Sequence, residues 1–338
     1  MQYGNVQGIK KKISRIVQGS IMLNRSNKEE GFTLLDAAWQ TGITTYDSAH
    51  GYGGGEVDRM LGLWMEERGN RDEIVIIGKG AHLNQDRNRV TPYDIASDMA
   101  DSLVRLRSDY IDLYLLHRDD PAVPVGPIVE ALNEHHAAGR IHAFGGSNWT
   151  PERLAEANEY ADKRGLVPFA ASSPNFSLAD QIAEPWKDCL SIAGPGQAAA
   201  RAWYAEHDMP LFTWSSVARG FFSGKVTRDN AEQVRDQFDG TMPKSYYCED
   251  NFTRLDRAWA LAKEKGLSVP QIALSYVLSY PLDIYALVGS MSGDEIAANE
   301  QALDNRLTEA EMAWLDLRSE ASTTRLSSPK SRAQPRER

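Results

Sequence analysis

Four polar residues stand where runs of strand character end. Asp47 and Tyr52 follow the run 43–46, Lys79 follows the run 74–77 after Gly78, and His117 follows the run 111–116. In a parallel α/β barrel the carboxyl ends of the strands converge on one mouth, so an Asp, a Tyr, a Lys and a His at such ends would meet there. A phenol beside an ammonium is an unusual acid. The cation favours phenolate, drawing the group down from an ordinary pKa of about 10, while a carboxylate holds the lysine. Such a set suits protonation of a carbonyl oxygen while a hydride arrives from elsewhere, with Tyr52 as general acid in that direction and general base in the reverse. Lys79 needs an acidic partner because an unpaired buried ammonium is costly, and Asp47 is the nearest candidate. His117 would donate a hydrogen bond to the carbonyl and orient it.

The elements that must position these residues alternate along the chain. Strand patterns fall at 14–22, 44–48, 74–79, 111–117, 141–147, 169–174, 211–215 and 284–289. Helical patterns fall at 29–40, 56–68, 92–107, 127–138, 151–163, 196–206, 253–265 with 270–279, and 294–303. The fifth helix has a clear start, with Thr150 as N-cap and Pro151 at the first helical position. Eight strands and eight helical regions predict an α/β fold of the (β/α)8 TIM-barrel type. An open doubly wound sheet would carry a glycine-rich loop after its first strand, and Gln18-Gly19-Ser20 is not followed by one. A turn at Gln7-Gly8 suggests an N-terminal hairpin that plugs the barrel bottom. Three mouth loops, 80–91, 119–126 and 217–250, are long enough to be functional. One domain over residues 1–320 is expected, with 321–338, rich in Ser, Pro and Arg, as a disordered basic tail.

Composition excludes several classes. At 338 residues and 42% hydrophobic the chain can bury one large barrel core. A net charge of −10 argues against a nucleic-acid partner. Two cysteines, Cys189 and Cys248, form neither a disulfide framework nor a zinc pattern. The seven histidines are scattered; the adjacent pair His135 and His136 would point about 100° apart on a helix, so no metal is expected. No signal-peptide pattern and no apolar stretch of about 18 residues is present, so a reduced, soluble, cytoplasmic protein is expected.

At Asp47, Ala49 and Tyr52 (D-x-A-x-x-Y), at Lys79, at His117 in Leu-Leu-His-Arg and at Gly145-Gly146-Ser147-Asn148, the sequence resembles the aldo-keto reductase superfamily. The resemblance runs, with gaps, from about residue 14 to 317. It implies an NAD(P)(H)-dependent oxidoreductase (EC 1.1.1.-) that interconverts an aldehyde or ketone, possibly sugar-derived, with an alcohol. It also implies that Ser147 and Asn148 bond the nicotinamide carboxamide, with Ser173 where the family has a Gln. Trp214 would stack on the nicotinamide, and Ser215, Val217, Arg219 and Gly220 would meet the pyrophosphate, with Lys225 a more remote candidate. Near the adenosine stand Gly289, Ser290, Met291, Glu295 and Asn299. Here the sequence departs from the family: Gly289 and Glu295 fall where basic residues often hold the 2′-phosphate. The family favours NADPH; a carboxylate near the ribose suits a 2′-hydroxyl, which points to NADH.

Substrate contacts are expected from His50, His82, Arg118 and Trp149, within a polar mouth that also holds Asn84, Arg87, Arg89, Asp119 and Asp120. The alternative of another class is a nucleotide-binding barrel that regulates a partner with little catalysis. A third reading, a lyase using Lys79 as a Schiff base, would not need Ser147, Asn148, Trp214 and Asn299.

Overall fold

The computed structural model describes residues 1–320; the expected basic tail lies outside them. Two short strands, β1 (Tyr3–Gly4) and β2 (Ile13–Ser14), pair antiparallel. The barrel strands follow: β3 (Ile16–Gly19), β4 (Thr45–Asp47), β5 (Val75–Gly80), β6 (Ile111–Leu116), β7 (Ile141–Ser147), β8 (Ala171–Ser173), β9 (Leu211–Thr213) and β10 (Ile284–Val288). Each pairs in parallel with its sequence neighbour, and β10 pairs with β3 to close the barrel. Around it lie α1 (Lys28–Gln40), α2 (Glu56–Arg68), α3 (Pro92–Leu106), α4 (Val125–Ala137), α5 (Pro151–Arg164) and α6 (Ala198–Glu206). Short α7 (Ala231–Val234) and α8 (Thr241–Tyr246) precede α9 (Glu249–Lys265), α10 (Val269–Ser279), α11 (Gly293–Asp304) and α12 (Glu309–Leu315). This is the (β/α)8 barrel that the alternation predicts.

Buried parallel strands read as continuous apolar runs, yet the two faces still alternate. Val17, Val75, Ile77, Leu113, Leu115, Ala143, Ala171, Phe212 and Tyr285 point inward, where Val6, Ile9 and Ile13 of the hairpin pack against them and plug one end. Ile16, Tyr46, Ile74, Ile76, Ile111, Tyr114, Leu116 and Phe144 face the helices. Each such side chain contributes roughly 1.5–3 kcal/mol on burial. Continuing the inward sets by two residues reaches Lys79 from Ile77 and His117 from Leu115. Across β4 and β5, Asp47 pairs in register with Ile77. The period of two therefore brings three of the four candidate residues to one mouth.

Some boundaries differ from the sequence reading. The first predicted strand is broken at Arg15, because the Ser14 hydroxyl donates to Ile16 O (2.7 Å) and accepts from the amides of Thr44 and Thr45. The 217–250 segment carries α7 and α8, and α9 begins four residues earlier than its pattern. α12 was not predicted, although Thr308 and Glu311 form a capping box at its start. Among the described residues no helix is long and apolar enough to cross a membrane.

Candidate active site

Lys79 Nζ donates to the Asp47 carboxylate, to Ser48 O at 3.1 Å and to the Tyr52 hydroxyl at 3.4 Å. Tyr52 opens a single turn, Tyr52–Gly55, in which Gly53 and Gly54 adopt left-handed backbone before α2. The His117 ring stands edge-on to Tyr52, with centroids 5.7 Å apart, and His82 packs edge-on against His117 at 4.7 Å. His117 Nδ1 is buried and has no hydrogen-bond partner. A polar side chain sealed at a mouth with an unused ring nitrogen is poised to meet a group from outside.

Electrostatics differ from the sequence expectation at Tyr52. Burial pushes its phenol above the ordinary value; Lys79 pulls it down, but not far enough, and Asp47 adds to the rise. Tyr52 is therefore a protonated donor at neutral pH rather than a phenolate in waiting. Burial works against the Lys79 charge, yet Asp47 and Tyr52 outweigh it and hold the ammonium above its ordinary value. Burial pushes Asp47 upward, with Lys79 opposing. The direction that governs the site is that of Lys79, since an ammonium with two oxygen partners keeps its proton. His117 is held well below 6.5 by burial, with Lys79, Arg118 and His82 adding repulsion, so its imidazole is neutral.

A family model described as "Aldo/keto reductase family" matches residues 15–317. The chain belongs to the aldo/keto reductase family. Norsolorinic acid reductase B of Aspergillus parasiticus is 28% identical over 86% of this chain and 75% of its own length. Aldo-keto reductase YhdN of Bacillus subtilis is 28% identical over 83% and 80%, and a probable voltage-gated potassium channel subunit beta of Oryza sativa subsp. japonica is 25% identical over 90% and 92%. In structure the chain is similar to the thermostable aldo-keto reductase Tm1743, with a TM-score of 0.71, covering 94% of this chain and 99% of that one at 22% identity. That likeness concerns the fold. Family members act on carbonyls and alcohols and generally use NAD(P)H.

The residues expected at a dinucleotide lie along the same rim. Trp214 follows β9, and its indole N–H is buried without a partner. Ser215 and Arg219 have left-handed backbone (φ 54° and 53°), as does Gly220 (93°), while Val217 has φ −109°. Successive turns of this kind aim amides at anions. Arg219 donates to Thr241 Oγ1 (2.6 Å) and pairs with Asp239. Ser147 and Asn148 bond inward: Ser147 Oγ donates to Ser173 O (3.1 Å), and Asn148 Nδ2 donates to His117 O (3.2 Å) and Ser147 Oγ. Ser173 Oγ donates to Phe212 O (2.6 Å). Past β10, Gly289 is exposed and Met291 is 62% exposed, while Asn299 Nδ2 donates to Ser290 Oγ (3.0 Å). Ser292 caps α11, and the Glu295 carboxylate accepts from the Met291 amide at 2.7 Å. Glu295 is thus part of a helix cap, a role absent from the sequence reading.

The expected substrate set is only partly assembled. His82 lies at the mouth with its Nδ1 2.8 Å from Leu83 O, and burial holds it below 6.5. Trp149 does not face the mouth: it is fully buried, its Nε1 donates to Arg118 O (3.1 Å), and it packs on Phe169. The reason is Gly146, where a Cβ would stand 2.5 Å from Trp149 Cγ, so the indole folds back onto its own strand. Arg118 is also buried, donating to His117 O, Lys187 O and Cys189 Sγ. His50 turns away from Tyr52 towards α3, with its Nε2 3.1 Å from Asp101. Arg87 pairs with Asp94, Arg89 with Asp98, and Asp119 with Arg153, so their charges are matched within the protein.

The sequence reading missed the segment 174–194 after β8. It brings Leu190, whose amide donates to Asn148 Oδ1 (3.0 Å), and Trp186, 42% exposed, against Trp214 and beneath the Arg219 guanidinium. Twenty-one residues without periodicity between β8 and the helical turn that leads into α6 were the available signal. Also missed was Asp58 on α2, buried between the hydroxyls of Ser48 and Ser102, which ties the loop after β4 to the helices. Among the described residues no group of three or more His, Cys, Asp or Glu is arranged to hold a metal ion.

Proposed function

We propose that the protein interconverts a carbonyl and an alcohol with NAD(P)(H), Tyr52 giving the proton to the carbonyl oxygen in reduction and taking it back in oxidation. The observation that carries the reading is the Lys79 ammonium between the Asp47 carboxylate and the Tyr52 hydroxyl, with His117 against the same phenol. Tyr52, raised by burial, starts reduction protonated. As its proton leaves, Lys79 stabilises the phenolate at short range in a low-dielectric site, which favours the transition state over the ground state. Neutral His117 donates to the carbonyl oxygen without adding positive charge. When bound, the dinucleotide supplies the hydride. The residues present fit it at Trp214, whose N–H is unpaired, at the turn from Ser215 to Gly220, and at the Ser290–Asn299 pair. Ser147 and Asn148 would reach a carboxamide only by exchanging their present bonds.

Glu295 occupies the Met291 amide, which a 2′-phosphate would otherwise use, and adds a repelling charge; both favour NADH or weak discrimination. The mouth is aromatic rather than saccharide-like, with Tyr52, His82, Trp186 and Trp214 around it, Arg87 and Arg89 held in ion pairs and Arg118 bonded to carbonyls and a thiol. A flat aromatic aldehyde or ketone fits it better than a sugar. The regulatory alternative suggested by the rice relative's name is disfavoured by the intact Asp47–Lys79–Tyr52 chain. The test is nicotinamide fluorescence on titration with NADH and NADPH, followed by oxidation of the bound cofactor on adding 4-nitrobenzaldehyde. Binding without oxidation, across a panel of carbonyls, would favour the regulatory alternative.

A further inference from the structure

We propose that Arg105 and Asp101 of α3 are positioning residues for Tyr52, acting through His50. The inference rests on the reading of Tyr52 as the proton donor. Tyr52 hangs from a loop that packs poorly by itself: Gly51 and Gly54 have open space where a Cβ would be. An open groove of about 370 Å³ runs between α2 and α3, lined by Arg59, Leu63, Asp101, Arg105 and Arg107 among others. The phenol itself packs on the core and on the His117 ring, but the glycine backbone that carries it has few side chains to pack, so hydrogen bonds must fix that backbone.

Those bonds converge on His50. Its amide donates to Lys79 O at 2.8 Å, tying it to the strand that carries the ammonium. Its carbonyl accepts from Arg105 Nη1 at 3.1 Å, and its ring nitrogen Nε2 lies 3.1 Å from Asp101 Oδ2. The same Asp101 oxygen accepts from Arg105 Nη2 at 3.0 Å. Arg105 thus joins backbone and side chain of His50 in one closed ring of contacts. It also lies flat beneath Gly55, where a Cβ would come within 2.6–2.8 Å of the guanidinium. Arg59 adds a longer bond to Gly54 O at 3.4 Å. Arg105 and Asp101 touch neither Tyr52 nor the mouth, so they act through the loop. This accounts for His50, whose ring is engaged on the side of α3 and not with substrate.

Arg105→Met should leave affinity for the preferred cofactor unchanged, measured by nicotinamide fluorescence, and lower kcat with 4-nitrobenzaldehyde on the order of 10–100-fold, the scale of a misplacement near 1 Å. Arg105→Lys, which keeps one donor, should fall between. Asp101→Asn cuts the same ring at an exposed side chain and should give a smaller kcat loss, so the idea stays testable if Arg105→Met folds poorly. The decisive readout is the double variant Arg105→Met/Tyr52→Phe. It should be no slower than Tyr52→Phe alone, because a positioning residue has nothing left to position. Additive losses, or Arg105→Met and Asp101→Asn both turning over like wild type while Tyr52→Phe is inactive, would overturn the inference and leave the Tyr52 reading standing. An active Tyr52→Phe would remove both.

Discussion

Replacing Lys79 with Met tests the electrostatic centre of the site. The Asp47 and Lys79 side chains are 6% and 3% exposed, and among the described residues Lys79 is the only side-chain donor to the Asp47 carboxylate. Removing the ammonium strands a buried carboxylate, at a cost of about 3–5 kcal/mol in unfolding free energy. The cost should depend on pH in a definite direction. Burial raises the Asp47 pKa in the folded protein, and losing Lys79 raises it further. A protonated, neutral Asp47 is tolerated, so the penalty is small near the unfolded value of about 3.9 and grows as pH rises through the folded pKa. Urea unfolding followed by tryptophan fluorescence, at pH 5 and pH 8, should show the larger loss for Lys79→Met at pH 8. Lys79→Met/Asp47→Leu should recover much of it, since the stranded charge is gone. A loss below about 1 kcal/mol at pH 8, equal at pH 5 and unrelieved in the double variant, would refute the pair as the holder of the site.

Three further outcomes are expected. Glu295→Arg frees the Met291 amide and reverses a charge, so NADPH should bind several-fold tighter with NADH little changed, and added salt should shrink the gain; equal shifts in both dissociation constants would mean Glu295 does not sense the 2′-phosphate. Trp149→Ala should cost about 3–5 kcal/mol in urea unfolding, as a buried indole does, and any defect in carbonyl KM should be secondary to that loss; a stable variant with a selectively raised KM would return Trp149 to the substrate set. His117 binds its proton far less readily folded than unfolded, so stability should fall as pH drops below about 6.5, and His117→Phe should flatten the urea midpoint between pH 7 and 5. An unchanged slope would mean that His117 titrates normally.

The barrel was legible because its strands are long apolar runs with polar residues at their ends. Ile111–Leu116 needs no context to be read as a buried strand, and the period of two then carries Lys79 and His117 inward. Short strands such as Ala171–Ser173 leave weaker traces, and the 174–194 segment has no period at all, which is why Trp186 and Leu190 were missed. Roles that depend on depth were also illegible. Lys79 is visible near Tyr52 in the sequence, but the burial that outweighs its pull on the phenol is not. Trp149 follows Asn148 at a strand end and reads as a mouth residue; only the absent side chain at Gly146 lets it turn back into the core. Glu295 reads as a charge beside a nucleotide, and the helix start that places it on the Met291 amide emerges with Ser292 as cap.

The most direct test of the central claim compares wild type with Tyr52→Phe in reduction of 4-nitrobenzaldehyde at saturating cofactor, with cofactor affinity measured on the same samples. A positioned acid contributes about 10²–10⁴-fold, so turnover should fall by that factor while the dissociation constant for the preferred cofactor stays the same. Turnover within a few-fold of wild type would contradict the assignment of the proton to Tyr52.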